Sequence, residues 1–230
     1  MVDRNNFLIS NDIAKNFPEL RIGLVIARGL VNSHNEELEK LGKDAENKIR
    51  TELNIESLSD HSHILAWRMA YKNFGANPKK YIPTCEAIVR RVLDGEKIPA
   101  INTLVNCYLI TELEYLLPCG GYDIDKVEGP INLRYSTGNE GFFPIGGKAT
   151  EFTKPGEIIY CDNKSILTRR WNYKDSDYSK ITTETKNIIL MSEAPYKDIK
   201  TEVLKKFVIR LSNLIKDFCG GIVEYDIISL

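Results

Sequence analysis

The segment from Ser33 to Asn54 alternates apolar and polar positions with a helical period. Its apolar side chains recur every three or four residues, which predicts an amphipathic helix with one buried stripe. The stripe consists of Leu38, Leu41, Ala45, Ile49 and Leu53. Ser33 followed by Glu36 fits a capping box, so we predict that Ser33 caps this helix.

The rest of the pattern predicts more helices early, strands in the second half and one late helix. The predicted helices run from Ser59–Asp60 to Phe74, from the N-cap Thr84 to Gly95, from Asn102 to Leu116 and from Lys200 to Phe218. The predicted strands are Leu20–Leu30, Ile131–Tyr135, Ile158–Tyr160, Ile166–Trp171, Asn187–Met191 and Ile222–Ile228. Elements grouped in this order, without alternating βαβ units, indicate an α+β fold.

The composition is that of a soluble globular protein. Apolar residues make up 43% and charged residues 27% of the 230 positions, and no apolar run approaches the ~18 residues of a membrane span. The polar N-terminus lacks a secretory signal pattern, and the five cysteines show no C-x-x-C spacing. We therefore expect one compact domain in a reducing cytoplasm, with all five cysteines as packing residues.

The net charge of −1 conceals an uneven distribution of signs. Acids exceed bases from Ser33 to Asp60, whereas bases exceed acids from Lys72 to Arg91 and from Lys164 to Arg210. A polyanion could bind the basic stretches, although a solvated basic surface without a partner explains them equally well.

Glu112 interrupts the apolar stripe of the helix predicted from Asn102 to Leu116. Burying a bare carboxylate is costly, so this residue is paired, protonated or faces a polar pocket. A place at the helix edge or in a salt bridge remains the simpler alternative.

Familiar catalytic signatures are absent from the sequence. It contains no G-x-S-x-G, P-loop, H-E-x-x-H or G-x-G-x-x-G motif, and its histidines are His34, His61 and His63. We therefore expect no metal and no cofactor. Asp175-Ser176-Asp177 begins like a calcium loop but lacks the glycine and the final glutamate of such a loop, so we interpret it as a polar turn.

Arg169-Arg170-Trp171-Asn172 is a dense group of cationic, aromatic and amide side chains. If the strand reaches Trp171, Arg169 and Trp171 share one face and Arg170 points to the other. Arg169 could then hold a phosphate or carboxylate beside Trp171. In the alternative, Trp171 packs in the core and an arginine covers it.

Glu140 lies in the glycine-bounded loop that follows a predicted strand, a common position for functional residues. A hydrolase without histidine or metal would activate water with carboxylates, backbone amides or groups of the substrate. Further carboxylates that could serve are Glu157, Asp162 and Glu112.

Short motifs follow one another in a fixed order between Trp67 and Asn187. They read WR, KNFGANPKKYIPTCEAIVRRVLDGEKIPAINTLVN, LPCGGYDIDKVEGPINLRY, GNEGFFPIG, KPGEIIYCD and LTRRWNYKDSDYSKITTETKN. This ordered set resembles the B3/B4 domain, the editing domain of the phenylalanyl-tRNA synthetase β subunit, and above all its freestanding relatives. The resemblance implies a three-layer α+β domain over residues 1–230, with a β-sandwich core and a helical N-terminal layer. The motif-bearing core would span 64–193, with a helical extension at 1–63 and a C-terminal helix and strand at 200–230.

The resemblance also implies a function. The synthetase domain hydrolyses the ester of tRNA charged with the wrong amino acid, and freestanding relatives are linked to tRNA carrying non-protein amino acids such as canavanine. This chain then resembles a trans-acting aminoacyl-tRNA deacylase that works without a cofactor on the acceptor end of mischarged tRNA in the cytoplasm. It would bind neither DNA nor a membrane, and the sequence does not predict its oligomeric state.

The residues implied by the resemblance fall into three groups. The expected catalytic residues are Glu140 and Asn106. The expected substrate-binding residues are Glu112, Gly120, Gly121, Arg169, Arg170, Asn172 and Thr183. The expected tRNA-binding residues are Lys79, Lys80, Arg90, Arg91 and Lys174.

The chain departs from the family pattern where substrate choice would be decided. The usual V-D/N-x-x-N-x-x-S motif keeps Asn106 but has Leu109 and Glu112 in place of its second asparagine and its serine. The synthetase pocket also uses a histidine, and this chain has none after His63. Glu112 could therefore bind a cationic side chain or a hydroxyl. Two other functions stay open, a non-catalytic tRNA-binding module and a small-molecule enzyme or binder that uses no RNA.

Overall fold

The computed structural model describes residues 6–230, and helices and strands alternate irregularly along them. The helices are α1 (Asn11–Asn16), α2 (Glu36–Glu52), α3 (Ser62–Asn73), α4 (Thr84–Leu93), α5 (Thr103–Tyr115) and α6 (Thr201–Cys219). The strands are β1 (Phe7–Ile9), β2 (Arg21–Arg28), β3 (Gly120–Asp123), β4 (Ile131–Tyr135), β5 (Gly141–Phe142), β6 (Glu151–Phe152), β7 (Ile158–Cys161), β8 (Ile166–Arg169), β9 (Lys174–Asp175), β10 (Ile188–Ala194) and β11 (Ile222–Ser229). Short 3-10 helices lie at Leu58–Asp60 and Ile124–Lys126. The α+β class is confirmed.

Two sheets and a small hairpin contain these strands. One sheet has the order β1-β4-β7-β8-β9, with β1 parallel to β4 and all other pairs antiparallel. The other has the order β11-β2-β10-β3 and is antiparallel throughout. The hairpin β5-β6 forms the third, two-stranded sheet.

The two larger sheets face each other, and helices cover the outside of the four-stranded one. The rings of Tyr122 on β3 and Tyr160 on β7 are 6.4 Å apart between the sheets. On the opposite face of β2, Gly23 leaves room for Val208 and Leu204 of α6. The result is the expected sandwich of sheets with a helical layer.

The N-terminal extension is not purely helical, because β2 pairs with both β10 and β11 and is an inner strand of its sheet. One cluster of buried apolar side chains runs from Phe7 to Cys219 and includes all three layers. This continuous core supports the prediction of one domain, which stays a prediction.

The caps of two helices differ from the sequence-based expectation. Asn35, not Ser33, caps α2, and its side chain accepts a hydrogen bond from Leu38 N at 3.0 Å. Thr84 is the first residue of α4, after the N-cap Pro83. Its hydroxyl donates to the Asn172 carbonyl instead, so a tertiary contact replaces the local cap.

The strand predicted to reach Trp171 ends at Arg169. Arg170 and Trp171 have φ of 50° and 67°, the left-handed region that side chains other than glycine rarely adopt. The expectation that Arg169 and Trp171 share a strand face is therefore wrong. The prediction of Trp171 as core is confirmed, since it is fully buried and its ring lies 4.8 Å from Phe17 and 5.1 Å from Trp67.

Candidate functional site

A cavity of about 130 Å³ lies where the inner faces of the two sheets meet α4 and α5. Its walls include Tyr108 of α5, Gly120 of β3, Thr168 of β8 and, from the turn that follows β8, Trp171, Asn172, Tyr173 and Asp175. At ~30 Å³ per water molecule, the volume holds about four waters, which suits the side chain of one amino acid.

Three carboxylates gather at this cavity. Asp175 and Glu193 line it, and Glu112 lies behind the lining residue Cys119, whose backbone N donates to Glu112 Oε1 at 2.7 Å. Glu112 is fully buried and Glu193 is 3% exposed. The other carboxylate oxygen of Glu112 is buried and has no partner among the described residues.

The position of these carboxylates raises their pKa values. Burial raises the pKa of Glu193 to about 7 and that of Asp175 to about 6. Burial raises the pKa of Glu112 well above its usual value, and the neighbouring Asp175 and Glu193 raise it further. Among residues 6–230, no lysine, arginine or histidine lines the cavity. These three groups would therefore gain stability from a cation supplied by a ligand.

Hydroxyl groups on the wall direct their protons toward the carboxylates. The Tyr160 hydroxyl donates to Glu193 Oε1 at 2.6 Å. Thr168 donates to Asp175 Oδ1 at 2.6 Å, so the Tyr122 hydroxyl, 2.6 Å from Thr168 Oγ1, must donate to the threonine.

Two aromatic rings and two lysines lie on the side of the cavity where Tyr173 forms the wall. The ring of Tyr173 is 5.3 Å from that of Tyr81 in an edge-to-face arrangement. The amino group of Lys80 lies 5.4 Å from the Tyr81 ring, and that of Lys174 lies 5.7 Å from the Tyr173 ring. We call Lys80, Tyr81, Tyr173 and Lys174 the rim.

The two arginines predicted to bind substrate are instead enclosed in an ion cluster. Arg169 Nε lies 2.7 Å from Glu157 Oε2, and Arg170 Nη2 lies 2.7 Å from Glu157 Oε1. Arg169 also pairs with Glu151 at 2.8 Å, and the Arg170 guanidinium stacks 3.9 Å from the centre of the Tyr81 ring. Neither arginine lines the cavity, and both hold the turn that does.

The structure does not bring Glu140 to the cavity. Its carboxylate pairs with Arg134 at 2.5 Å and accepts hydrogen bonds from Ser136 Oγ and Thr137 N. The Arg134 hydrogen bond in particular lowers the pKa of Glu140 to about 2. Glu140 is thus a weak base that stabilises its own loop, and we do not retain it as a catalytic candidate.

Asn106 and Thr183 lie elsewhere too, in a groove between α2 and the start of α5. The Asn106 amide, turned so that its nitrogen donates, reaches the carbonyls of Asn102 and Pro99 at 3.2 Å each. A larger cavity borders this groove, but its buried carboxylate, Glu46, already accepts from Ile98 N and pairs with Arg50.

The remaining predicted residues divide between the cavity and the surface. Gly120 and Asn172 line the cavity, whereas Gly121 packs its backbone against Ile189 on β10, where a Cβ would collide. Lys79 is exposed next to Lys80 and has no acidic partner within residues 6–230. Arg90 and Arg91 are paired, with Glu86 at 2.8 Å and with Glu96 at 2.7 Å.

Sequence reasoning missed Glu193 and misjudged Asp175. Glu193 lies on β10, whose residues are all buried, and a carboxylate in such a strand is the same signal that singled out Glu112. Asp175 belongs to β9 and pairs with Thr168, a contact between residues that no local motif reveals.

Two kinds of feature are absent from residues 6–230. No helix there is both long enough and apolar enough to cross a bilayer. No group of three or more His, Cys, Asp or Glu side chains in the same residues is arranged to hold a metal ion.

Comparisons with known proteins point to one family. The phenylalanine–tRNA ligase beta subunit of Mycoplasma genitalium is 30% identical over 79 residues, which is 34% of this chain and 10% of that subunit. An N-terminal fragment of the phenylalanyl-tRNA synthetase beta subunit from Pyrococcus horikoshii superposes with a TM-score of 0.48 at 14% identity, covering 95% of this chain and 50% of the fragment. The chain thus spans only part of either relative. The family model of the B3/4 domain matches residues 66–220, about two thirds of the sequence, and the chain therefore belongs to the B3/4 domain family.

Proposed function

We propose that this chain is a trans-acting aminoacyl-tRNA deacylase that removes a noncognate or non-protein amino acid with a cationic side chain, such as canavanine. The observation that carries the proposal is the cavity wall, where Asp175 and Glu193 lie in front of Glu112 and no cationic side chain of the described residues neutralises them. The relative found by sequence is a subunit of a phenylalanine–tRNA ligase, which supports a charged tRNA as the substrate.

The depth at which each carboxylate is buried suggests its role. Glu193 lines the cavity, is 3% exposed and would bind the cationic side chain, because a buried carboxylate without a counter-ion gains most from an opposite charge. Glu112, fully buried behind Cys119, would add negative potential from the second layer. Asp175 is half-buried, and a Cβ on the half-buried Gly120 would lie 3.7 Å from its carboxylate. Its pKa of about 6 suits a base that accepts a proton from water near neutral pH.

The rim would receive the end of the RNA. Unpaired bases stack on aromatic side chains, and lysines bind phosphates. Tyr81 and Tyr173 supply rings beside the cavity, and Lys79 and Lys80 supply positive charge, whereas the charge of Lys174 is already paired with Glu151 at 3.0 Å. With the RNA bound at the rim, the amino acid part of the ester would extend into the cavity.

Hydrolysis of this ester requires few further catalytic groups from the protein. The ester of a charged tRNA is already activated, and the neighbouring ribose hydroxyl can help to orient water. The protein has to position the water, polarise the carbonyl group and exclude amino acids that fit poorly.

The test is a panel of tRNAs charged with canavanine, arginine, alanine, serine or tyrosine. We expect the canavanyl ester to be hydrolysed fastest. The esters of the neutral amino acids alanine, serine and tyrosine should be hydrolysed at least about tenfold more slowly, which is the effect of losing one ion pair in a site without water. Binding of tRNA without turnover of any ester would favour the binding module. An absence of salt-sensitive tRNA binding would favour a small-molecule function.

A further inference from the structure

The amide of Asn172 is held on one side and free on the other. Its Oδ1 accepts a hydrogen bond from the Tyr71 hydroxyl at 2.7 Å. Its Nδ2 is buried and has no partner within the described chain, although Asn172 lines the cavity. A buried N–H that has lost water without gaining a partner destabilises the folded state, so this atom calls for an acceptor on a ligand.

The backbone around Asn172 is fixed in an unusual conformation. The two preceding residues, Arg170 and Trp171, both have positive φ. The turn persists because the Trp171 ring is fully buried and Arg170 is paired with Glu157. Thr84 adds a hydrogen bond to the Asn172 carbonyl. Strain of this kind persists only where the surroundings over-determine it, and it is concentrated at functional sites.

Several hydroxyl protons of the cavity wall are already used inside the protein. The protons of Tyr160 and Thr168 go to Glu193 and Asp175, and that of Tyr122 goes to Thr168. The indole N–H of Trp171, which also lines the cavity, is likewise buried without a hydrogen-bond partner among the described residues. A matching ligand therefore carries a cation at one end and a carbonyl oxygen at the other, and an amino acid ester with a cationic side chain has both.

We propose that Asn172 Nδ2 donates a hydrogen bond to the carbonyl oxygen of the ester, and that Tyr71 positions it. By binding Oδ1, the Tyr71 hydroxyl fixes which atom of the amide faces the cavity. This inference rests on the proposed function and adds the group that polarises the carbonyl. Asn172 touches the substrate, whereas Tyr71 is a positioning residue.

The donor acts on one defined step. The oxygen of water forms a bond to the carbonyl carbon, and negative charge develops on the carbonyl oxygen facing Asn172 Nδ2. The bond from that carbon to the ribose oxygen then breaks. One proton of the water ends on the ribose oxygen and the other is lost from the new carboxylic acid, so the products are the free amino acid and uncharged tRNA.

Replacing Asn172 by leucine keeps the size of the side chain and removes the donor. We expect Asn172→Leu to lower kcat for canavanyl-tRNA about 100-fold, the effect of removing one such donor, with KM changed less than about threefold. Tyr71→Phe keeps the ring but frees the amide to turn, and we expect a kcat loss of about tenfold with KM unchanged. A purely structural role would not separate kcat from KM in this way.

Asn132 on β4 provides a matched control. Its side chain also has a buried atom without a partner in the described structure, and it lies outside the cavity. Asn132→Leu should leave both kcat and KM unchanged. If Asn172→Leu is folded and keeps the wild-type kcat, the inference is wrong and the proposed function stands. If Asn172→Leu does not fold, Tyr71→Phe decides in the same way.

A binding measurement separates the inference from the function. Argininamide carries the carbonyl group, whereas agmatine has the same cationic side chain and lacks it. We expect the wild type to prefer argininamide about tenfold and Asn172→Leu to lose that preference. If no charged tRNA is hydrolysed, a preference for argininamide that depends on Asn172 would still show that Asn172 contacts the carbonyl group, in a protein that binds its ligand without hydrolysing it. Equal affinities in the wild type, or no binding of either compound, would overturn the contact.

Discussion

The strand β8 separates two groups of carboxylates that differ in their partners. Thr168 turns inward and bonds Asp175, in the cavity that also contains Glu193. The next residue, Arg169, extends from the opposite face and pairs with Glu157. Among the described residues, the carboxylates of the cavity therefore have no cationic partner. On the outer face, Glu157 pairs with Arg169 and Arg170, and Glu151 pairs with Arg169 and Lys174.

This difference distinguishes a structural charge from one that can bind a ligand. Glu140, paired with Arg134 outside the cavity, has a pKa lowered to about 2, whereas burial raises that of Glu193 to about 7. A paired carboxylate already has its counter-ion and stabilises the fold. An unpaired one destabilises the fold until a ligand brings the charge.

The largest effect should come from breaking the paired group. Glu157→Gln would leave Arg169 and Arg170 buried with less compensation, and their side chains are 5% and 6% exposed. Removing one partner of a buried ion pair costs about 3–5 kcal/mol. We expect the free energy of unfolding, measured by urea denaturation, to fall by about this amount.

Glu128→Gln is the matched control for that change. Glu128 pairs with Lys164 at 2.7 Å, but both side chains are more than half exposed. Surface pairs contribute about 0–1 kcal/mol, so this variant should be nearly as stable as the wild type. Equal losses in the two variants would show that burial does not separate the two kinds of pair.

Much of the fold could be predicted because it depends on local patterns. The stripe from Leu38 to Leu53 indicated α2, and the apolar run of Leu20 to Leu30 indicated β2. Caps were less predictable: Ser33 and Asn35 are both good cap residues, and only the path of the chain decides between them. Thr84 failed as a cap because its hydroxyl found a tertiary partner.

The site was only partly predictable, because pairing is a long-range property. Glu112 was found from its own helix, where a carboxylate broke an apolar stripe. Arg169 and Arg170 looked available in sequence because Glu157 lies twelve and thirteen residues earlier. Nothing in the local sequence pattern indicates that Glu157 neutralises the two arginines across neighbouring strands. Paired and unpaired charged residues therefore cannot be distinguished from the sequence alone.

The next largest effect concerns the unpaired group and depends on pH. The folded-state pKa of Glu193 lies above its usual value of 4.5, so the folded chain binds the proton more tightly than the unfolded chain. Its contribution to stability is complete below about pH 4.5 and is lost as pH rises through about 7. The loss amounts to about 3 kcal/mol. Glu193→Gln should therefore be more stable than the wild type near pH 8 and should lose that advantage near pH 5.

The difference between the two proteins is the quantity to measure across this pH range. Burial lowers the pKa of His61 and His63, which weakens both proteins alike as pH falls. Glu140, whose pKa is lowered to about 2, stays ionised in the folded state throughout this range and affects both proteins alike. A Glu193→Gln variant with the same pH profile as the wild type would mean that Glu193 is already neutralised in the folded chain.

The smallest effect should come from the surface, where unpaired and paired cations can be compared directly. Lys79 and Lys80 are exposed and have no acidic partner within residues 6–230, whereas Arg91 pairs with Glu96. We expect the double variant Lys79→Ala, Lys80→Ala to weaken tRNA binding about tenfold at low salt. Each lost contact with the phosphates of an unpaired strand should reduce the slope of log affinity against log salt by about 0.7.

Arg91→Ala serves as the control in the same titration. It removes one positive charge, but a charge that Glu96 already neutralises at 2.7 Å, so the affinity should change less than about twofold and the slope should stay constant. A loss of affinity in Arg91→Ala as large as in the lysine variant would mean that the tRNA breaks the Arg91–Glu96 pair on binding. Pairing would then determine which buried charges are available to a ligand, because water is excluded there. It would not determine which surface charges bind tRNA, because water and salt weaken each surface pair.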